Sequence, residues 1–335
     1  MPTGWVAYAV TAVVSAIGEN KLMPLPDNAC KVINAKSGYV RDNASWILGR
    51  VLRDYGSWMD GEVRQHLDTM LECKWRQQQD AAEAEKAGSG TSVIRPYQVG
   101  LCVSVYRAAP ARPGSPGHDA VYYSGFGIAF LQLGIAAIPC GIFGDWSILL
   151  VTATGIALAF TTGSLNQWRK EKWACRRASK KTVVLTRGNG AQHAIVVRGD
   201  GVGFDLEDLA AGTVNVDVSA SNLTRITVIT LALLWILLLV SAAGIKSNTW
   251  FLLGVGGIGI LQNVFVAGWR RTPAAFGMPL IYETVIGKTG VMATLFAVEE
   301  RYPGVGLSMR DTFFPGKLRP DEVTRWNEYA ASADA

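Results

Sequence analysis

The sequence predicts a membrane α-helical protein with about four transmembrane helices in two hairpins, together with cytosolic α+β segments that include a β-hairpin insert. Three observations predict it. Hydrophobic residues make up 49% of the chain and charged residues only 18%. The apolar excess is concentrated in Gly125 to Phe143, Trp146 to Gly163, Ile226 to Gly244 and Thr249 to Gly268, none of which contains Lys, Arg, Asp or Glu. Each run is close to the ~17–25 residues that cross ~30 Å of hydrocarbon as a helix. Finally, the stretch Arg169 to Lys181 carries seven basic residues against the single acid Glu171. Directly after an apolar run, that cluster reads as a cytosolic membrane flank rather than a nucleic-acid surface.

Residues 1–18 hold the apolar stretch Gly4 to Ile17, short for a span and without a basic leader, which reads as an interfacial helix or a fifth span. Residues 19–122 form a cytosolic N-terminal region. There Trp46, Leu48, Val51, Leu52 and Tyr55 fall at helical spacing after Asn43 or Ser45 as a cap. Val63, Leu67, Met70, Leu71 and Trp75 make the apolar stripe of a helix from Asp60, which is expected to fray over Gln77 to Lys86. Val99 to Tyr106 is β-prone, and a Pro- and Gly-rich loop follows.

Residues 123–163 are the first transmembrane hairpin, in which Pro139 should bend or end its helix. Ala153 and Ala157, with Gly155, Ala159 and Gly163, recur four apart and suit close helix packing. Residues 164–224 hold the basic segment and the insert, where Thr182 to Arg187 and Gln192 to Arg198 flank Gly188-Asn189-Gly190, the signature of a hairpin. Val183, Leu185, Ile195 and Val197 are its expected buried face. Residues 225–269 are the second transmembrane hairpin. The tail, residues 270–335, is expected to be cytosolic, with an amphipathic stretch over Val285 to Glu300, a bend over Pro303 to Gly316 and a helix from Pro320.

Candidate chemistry is sparse. The intramembrane polar residues Gln132, Gln262 and Asn263 fit cross-helix hydrogen bonding better than a transport path, because no intramembrane carboxylate or lysine accompanies them. His193, Arg187, Asp205, Glu207 and Asp208 are the catalytic candidates, chosen for chemical variety alone. No metal-ligand spacing, nucleotide loop or nucleophile motif occurs, and nothing calls for a cofactor. Five scattered cysteines make no disulfide framework.

The strings QLGIAAIPCGIFGDW (Gln132 to Trp146), EKWACRR (Glu171 to Arg177), LTRGNGAQHAIVV (Leu185 to Val197), NAKSGYVRDNASWILGR (Asn34 to Arg50) and FFPGKLRP (Phe313 to Pro320) resemble a group of uncharacterised multipass membrane proteins of filamentous fungi. The resemblance implies a eukaryotic endomembrane or plasma-membrane setting. It carries no activity or site residues.

The expected function is a membrane-anchored interaction or assembly protein. Its expected partners are the lipid bilayer, a cytosolic protein and, as a homo-oligomer, further copies of itself; no nucleic acid is expected. The alternatives are a membrane-embedded enzyme acting on an apolar metabolite of fungal lipid or secondary metabolism, and an oligomeric channel or transporter.

Overall fold

The computed structural model describes Gly18 and residues 22–85, 93–114, 117–212 and 218–333, so the stretch Gly4 to Ile17 lies outside the described residues. The chain runs β1 (Lys31–Asn34), β2 (Val40–Asp42), α1 (Trp46–Arg53), α2 (Tyr55–Trp58), α3 (Gly61–Glu85), β3 (Cys102–Ala108), α4 (Ala120–Phe143), α5 (Ser147–Gly163), α6 (Asn166–Lys172), β4 (Arg177–Ser179), β5 (Thr182–Thr186), β6 (His193–Arg198), β7 (Gly203–Phe204), α7 (Leu206–Ala211), α8 (Asn222–Ala243), α9 (Thr249–Gly268), a 3-10 turn at Pro273–Phe276, β8 (Leu280–Gly287), α10 (Val291–Arg301), α11 (Val305–Phe313) and α12 (Pro320–Ala333). These elements divide into a helical unit, Met1–Pro24 with Pro113–Ala174 and Val216–Arg270, and an α/β unit, Leu25–Arg112 with Cys175–Asn215 and Arg271–Ala335.

In the helical unit α4, α8 and α9 are long and apolar enough to cross a membrane, and α5 qualifies only together with α6, from which it bends by 42°. Helix α4 packs on α5 and α9, and α5 packs on α8. The ends are capped locally: Asp119 accepts from the Tyr122 amide and Ser221 from the Thr224 amide. Pro139 does not end α4, which runs one further turn to Gly144 in the left-handed conformation at φ 66°. The expected small-residue face is divided. Gly155 approaches Leu238 on α8, and Ala159 packs with Leu158, Leu231 and Trp235, whereas Ala153, Ala157 and Gly163 face outward. Leu158 and Trp235 fill the α5–α8 contact, so that contact is not a small-residue seam.

The α/β unit is built on a six-stranded sheet in the order β2-β1-β5-β6-β3-β8, with β3 parallel to β6 and the other pairs antiparallel. The insert hairpin β5–β6 is therefore the middle of the sheet, paired to N-terminal strands on both sides. Its expected face, Val183, Leu185, Ile195 and Val197, is buried, and so are the alternate residues Val184, Ala194 and Val196. Those alternate residues meet Leu295, Val298, Met309 and Trp326 of α10, α11 and α12. On the opposite face Cys102 packs with Val63, Leu67 and Met70 of α3. A sheet covered on both faces explains why VVL and AIVV are continuous apolar runs rather than alternating ones.

Three further expectations are corrected. Helix α3 does not fray from Gln77 but runs to Glu85, as its Gln, Ala and Glu residues favour. The amphipathic stretch Val285 to Glu300 is not one element: its β-branched start completes β8, and α10 begins only at Val291. The bend over Pro303 to Gly316 contains α11, because a side chain at Gly306 would strike Glu299 and Leu295 of α10, so this glycine permits helix contact instead of breaking a helix.

Candidate functional site

The catalytic candidates fall at two ends of one hairpin. Because Thr182 pairs with Arg198 and Thr186 with Ala194, Arg187 and His193 lie roughly 20 Å along the strands from Lys181, at about 3.4 Å per residue. The acids lie near Lys181, and each is engaged by a cation. Asp205 caps α7, accepting from the Glu207 and Asp208 amides at 3.1 Å, and sits 3.1 Å from Lys181 Nζ. Arg176 grips Asp208 in bidentate fashion at 2.5 and 2.9 Å. Lys181 and Asn34 donate to Glu207 at 2.9 and 2.8 Å. The hydrogen bond from Arg176 holds the Asp208 carboxyl below its usual range. Burial pushes Glu207 upward, but the bonds from Lys181 and Asn34 outweigh it and the net direction is down. These ion pairs and the Asn34 hydrogen bond tie α7 to β1 and to the residues that precede β4 and β5.

His193 packs edge-on against Tyr55, centroids 5.1 Å apart, with its Nδ1 buried and unpartnered. Burial, then the Arg187 charge, lowers its pKa. Burial also pushes the thiol of its cross-strand neighbour Cys102 up to about 12, so the pair offers a neutral imidazole beside a protonated thiol. Among the described residues no three His, Cys, Asp or Glu side chains form a metal-holding group.

In the helical unit Gln132 Nε2 donates to the Val255 carbonyl at 3.0 Å, and Gln262 Nε2 to Ser124 Oγ at 2.9 Å, joining α4 to α9. Gly259 leaves the room Gln132 needs, since a Cβ there would lie 3.1 Å from its Nε2. Asn263 is exposed on the outer side of α9.

Two polar clasps escape the sequence pattern. Buried Glu171 accepts the Leu22 amide at 2.8 and 2.9 Å, the Met23 amide at 2.7 Å and Gln167 Nε2 at 2.8 Å, while Gln167 also donates to the Val218 carbonyl. Asp145, in the α4–α5 turn, accepts from Ser147 and also from Ser247 Oγ and Asn248 Nδ2 of the α8–α9 turn, both at 3.0 Å. Hydrogen bonds from Ser147 and then Asn248 hold its carboxyl at about 2.

An opening lies along β8, the edge strand of the sheet. It is an open cleft of about 500 Å³ lined by His66, Val285 to Lys288, Ala297, Glu300 and Arg301. One wall is α3 and the other is α10. His66 Nε2 lies 3.1 Å from the Gly287 carbonyl oxygen, which can only accept, so the ring proton is on Nε2. Glu300 is held by Tyr329 and Arg325, each at 2.8 Å, and these bonds keep its carboxyl below the usual range. Lys288 and Arg301 are exposed and make no ion pair within 4 Å among the described residues. Sequence reasoning missed this cleft because it took Val285 to Glu300 as one amphipathic stretch, with no strand edge in it.

Comparison with protein-family models, curated proteins and solved structures finds no match for this chain.

Proposed function

We propose that the chain is a multipass membrane protein whose α/β unit docks a protein partner, with α4, α5, α8 and α9 as the membrane anchor. The observation that carries this reading is the cleft along the β8 edge, an open concave surface with cationic rims on a unit otherwise closed on both sheet faces. The four apolar runs within these helices, which hold no Lys, Arg, Asp or Glu, support the anchor. The basic segment after α5 supports a cytosolic position for the α/β unit, and the resemblance to fungal membrane proteins fits an endomembrane or plasma-membrane setting. An enzyme acting on an apolar metabolite receives less support. The apolar cavity among Leu22, Leu165, Trp168, Val228 and Trp235 measures about 10 Å³, room for about one water.

Photo-crosslinking from position 288 in native membranes tests the docking role. A discrete adduct from position 288 that is missing from position 37, in the turn at the far edge of the sheet, is expected. Equal labelling from both positions, or none from either, overturns the reading.

A further inference from the structure

We propose that the partner enters this cleft as an extended, acidic segment that adds a seventh strand to the sheet along Thr284 to Lys288. The inference rests on the docking reading above and names the chemistry of what docks.

The strand geometry carries the first half. In the parallel pair β3–β6 the Cys102 amide bonds to the Gln192 carbonyl, so Cys102 and Ser104 direct their backbone groups toward β6. Val103 and Val105 therefore direct theirs toward β8, where they oppose Ile286 and Thr284. Val285 and Gly287, alternating with these, turn their N–H and C=O groups outward into the cleft. His66 occupies the Gly287 carbonyl, which leaves, among the described residues, the Val285 N–H, the Val285 carbonyl and the Gly287 N–H as a ladder without a strand. Such an edge is a template for a further strand. The ladder irregularity between Val105 and Tyr106 interrupts regular pairing toward Leu280, so the usable edge is Thr284 to Lys288, coincident with the cleft. Both side-chain faces of this edge are already covered, Val285 by Val63 and Met70 and Ile286 by the α10 layer. An entering strand therefore meets backbone groups between two helical walls.

Charge carries the second half. Lys288 and Arg301, which make no ion pair within 4 Å among the described residues, stand at the cleft, and Glu300, the acid among its described lining residues, is already bonded to Arg325 and Tyr329 and also feels the Lys288 charge. Carboxylates on the entering strand would complement the rim. A second copy of β8 would instead bring Lys288 and Arg301 against themselves, which disfavours self-pairing at this edge.

The test uses the full chain in nanodiscs and a synthetic fluorescent peptide of alternating Glu and Val, read by anisotropy. Saturable binding is expected, weakened at least tenfold by the exposed double substitution Lys288→Glu with Arg301→Glu. Binding should weaken at least tenfold as well when alternate peptide nitrogens are N-methylated, a change that leaves the protein untouched. Equal binding by the N-methylated peptide, or by a peptide with Lys in place of Glu, overturns strand addition by an acidic segment. No binding by any peptide while the position 288 crosslink persists overturns this inference and leaves the docking reading standing; loss of both overturns the two together.

Discussion

At Glu171 a single carboxylate holds two backbone amides and a glutamine, and truncating it strands those donors in a buried place. An unsatisfied buried donor costs roughly 1–3 kcal/mol. Glu171→Ala is expected to destabilise the helical unit by about 2–4 kcal/mol, lowering its thermal midpoint in detergent and removing hydrogen-exchange protection at Leu22 and Met23. Unchanged protection at both amides would refute the clasp. In the sequence Glu171 shows only as the lone acid of a basic run, since the backbone amides it holds lie 148 and 149 residues away, beyond any local pattern. Gly287 is similar. A Cβ there would lie 2.5 Å from Met70 Sδ, so Gly287→Ala should cost about 1–3 kcal/mol through overpacking, measured as a lower urea midpoint. His193 gives a pH prediction. Burial and Arg187 lower its pKa from 6.5, so below that value the unfolded chain binds more protons than the folded one. Stability therefore falls as pH drops from 6.5 toward the folded-state value. His193→Phe should make the denaturant midpoint less sensitive to pH between about 7.5 and 5; an unaltered pH slope would show that the ring is not held neutral.

Among elements, legibility follows how far each one's determinants reach along the chain. The hairpin β5–β6 is readable because its turn, Gly188 at φ 98° and Gly190 at φ 80°, and its β-branched strands are local. Helices α4, α8 and α9 are readable from composition, and α12 from its proline start. By contrast, β8 joins α10 through a short turn in which Thr294 Oγ1 takes the Lys288 amide at 2.8 Å and donates to the Leu101 carbonyl at 3.1 Å. Val285, Ile286, Val291 and Leu295 carry no mark of that break, so one amphipathic stretch runs across two elements. The clasp between the hairpin turns depends on the Asp145 carboxylate staying ionised. With its pKa held at about 2 against an ordinary 3.8, its contribution is complete above about 4 and lost as pH falls toward 2. Asp145→Asn should weaken the clasp at neutral pH and remove that acid-dependent step, read as the distance between spin labels placed at positions 143 and 246; a distance distribution that is the same in the native and variant proteins at every pH would refute it.

For the whole molecule the two turns joined by Asp145 fix the relative direction of the hairpins: α4–α5 and α8–α9 open toward the same end of the helical unit. Charge divides between the ends. Ser164 to Arg225 carries ten Lys and Arg, and Arg270 and Arg271 follow α9, whereas the turns offer only Lys246. On the proposed membrane anchoring, the positive-inside tendency predicts the turns away from the cytosol and the N-terminal region, the insert and the tail on the cytosolic side. The sheet agrees with a common side for those segments, because β1, β3, β5, β6 and β8 come from all three of them and could not pair across a bilayer. The sequons at Asn43 and Asn222 should therefore stay unmodified although both match the acceptor pattern. Asn43 is also engaged locally, its Nδ2 donating to the Ser45 carbonyl at 2.8 Å, whereas Asn222 opens α8 and is exposed. Expressed in a eukaryotic membrane, the native chain should show no mobility shift on endoglycosidase treatment, while a glycosylation tag on a flexible spacer inserted after Lys246 should show one. A native shift abolished by Asn43→Gln or Asn222→Gln, with the tagged turn unmodified, would invert the topology and put the β8 cleft out of reach of any cytosolic partner.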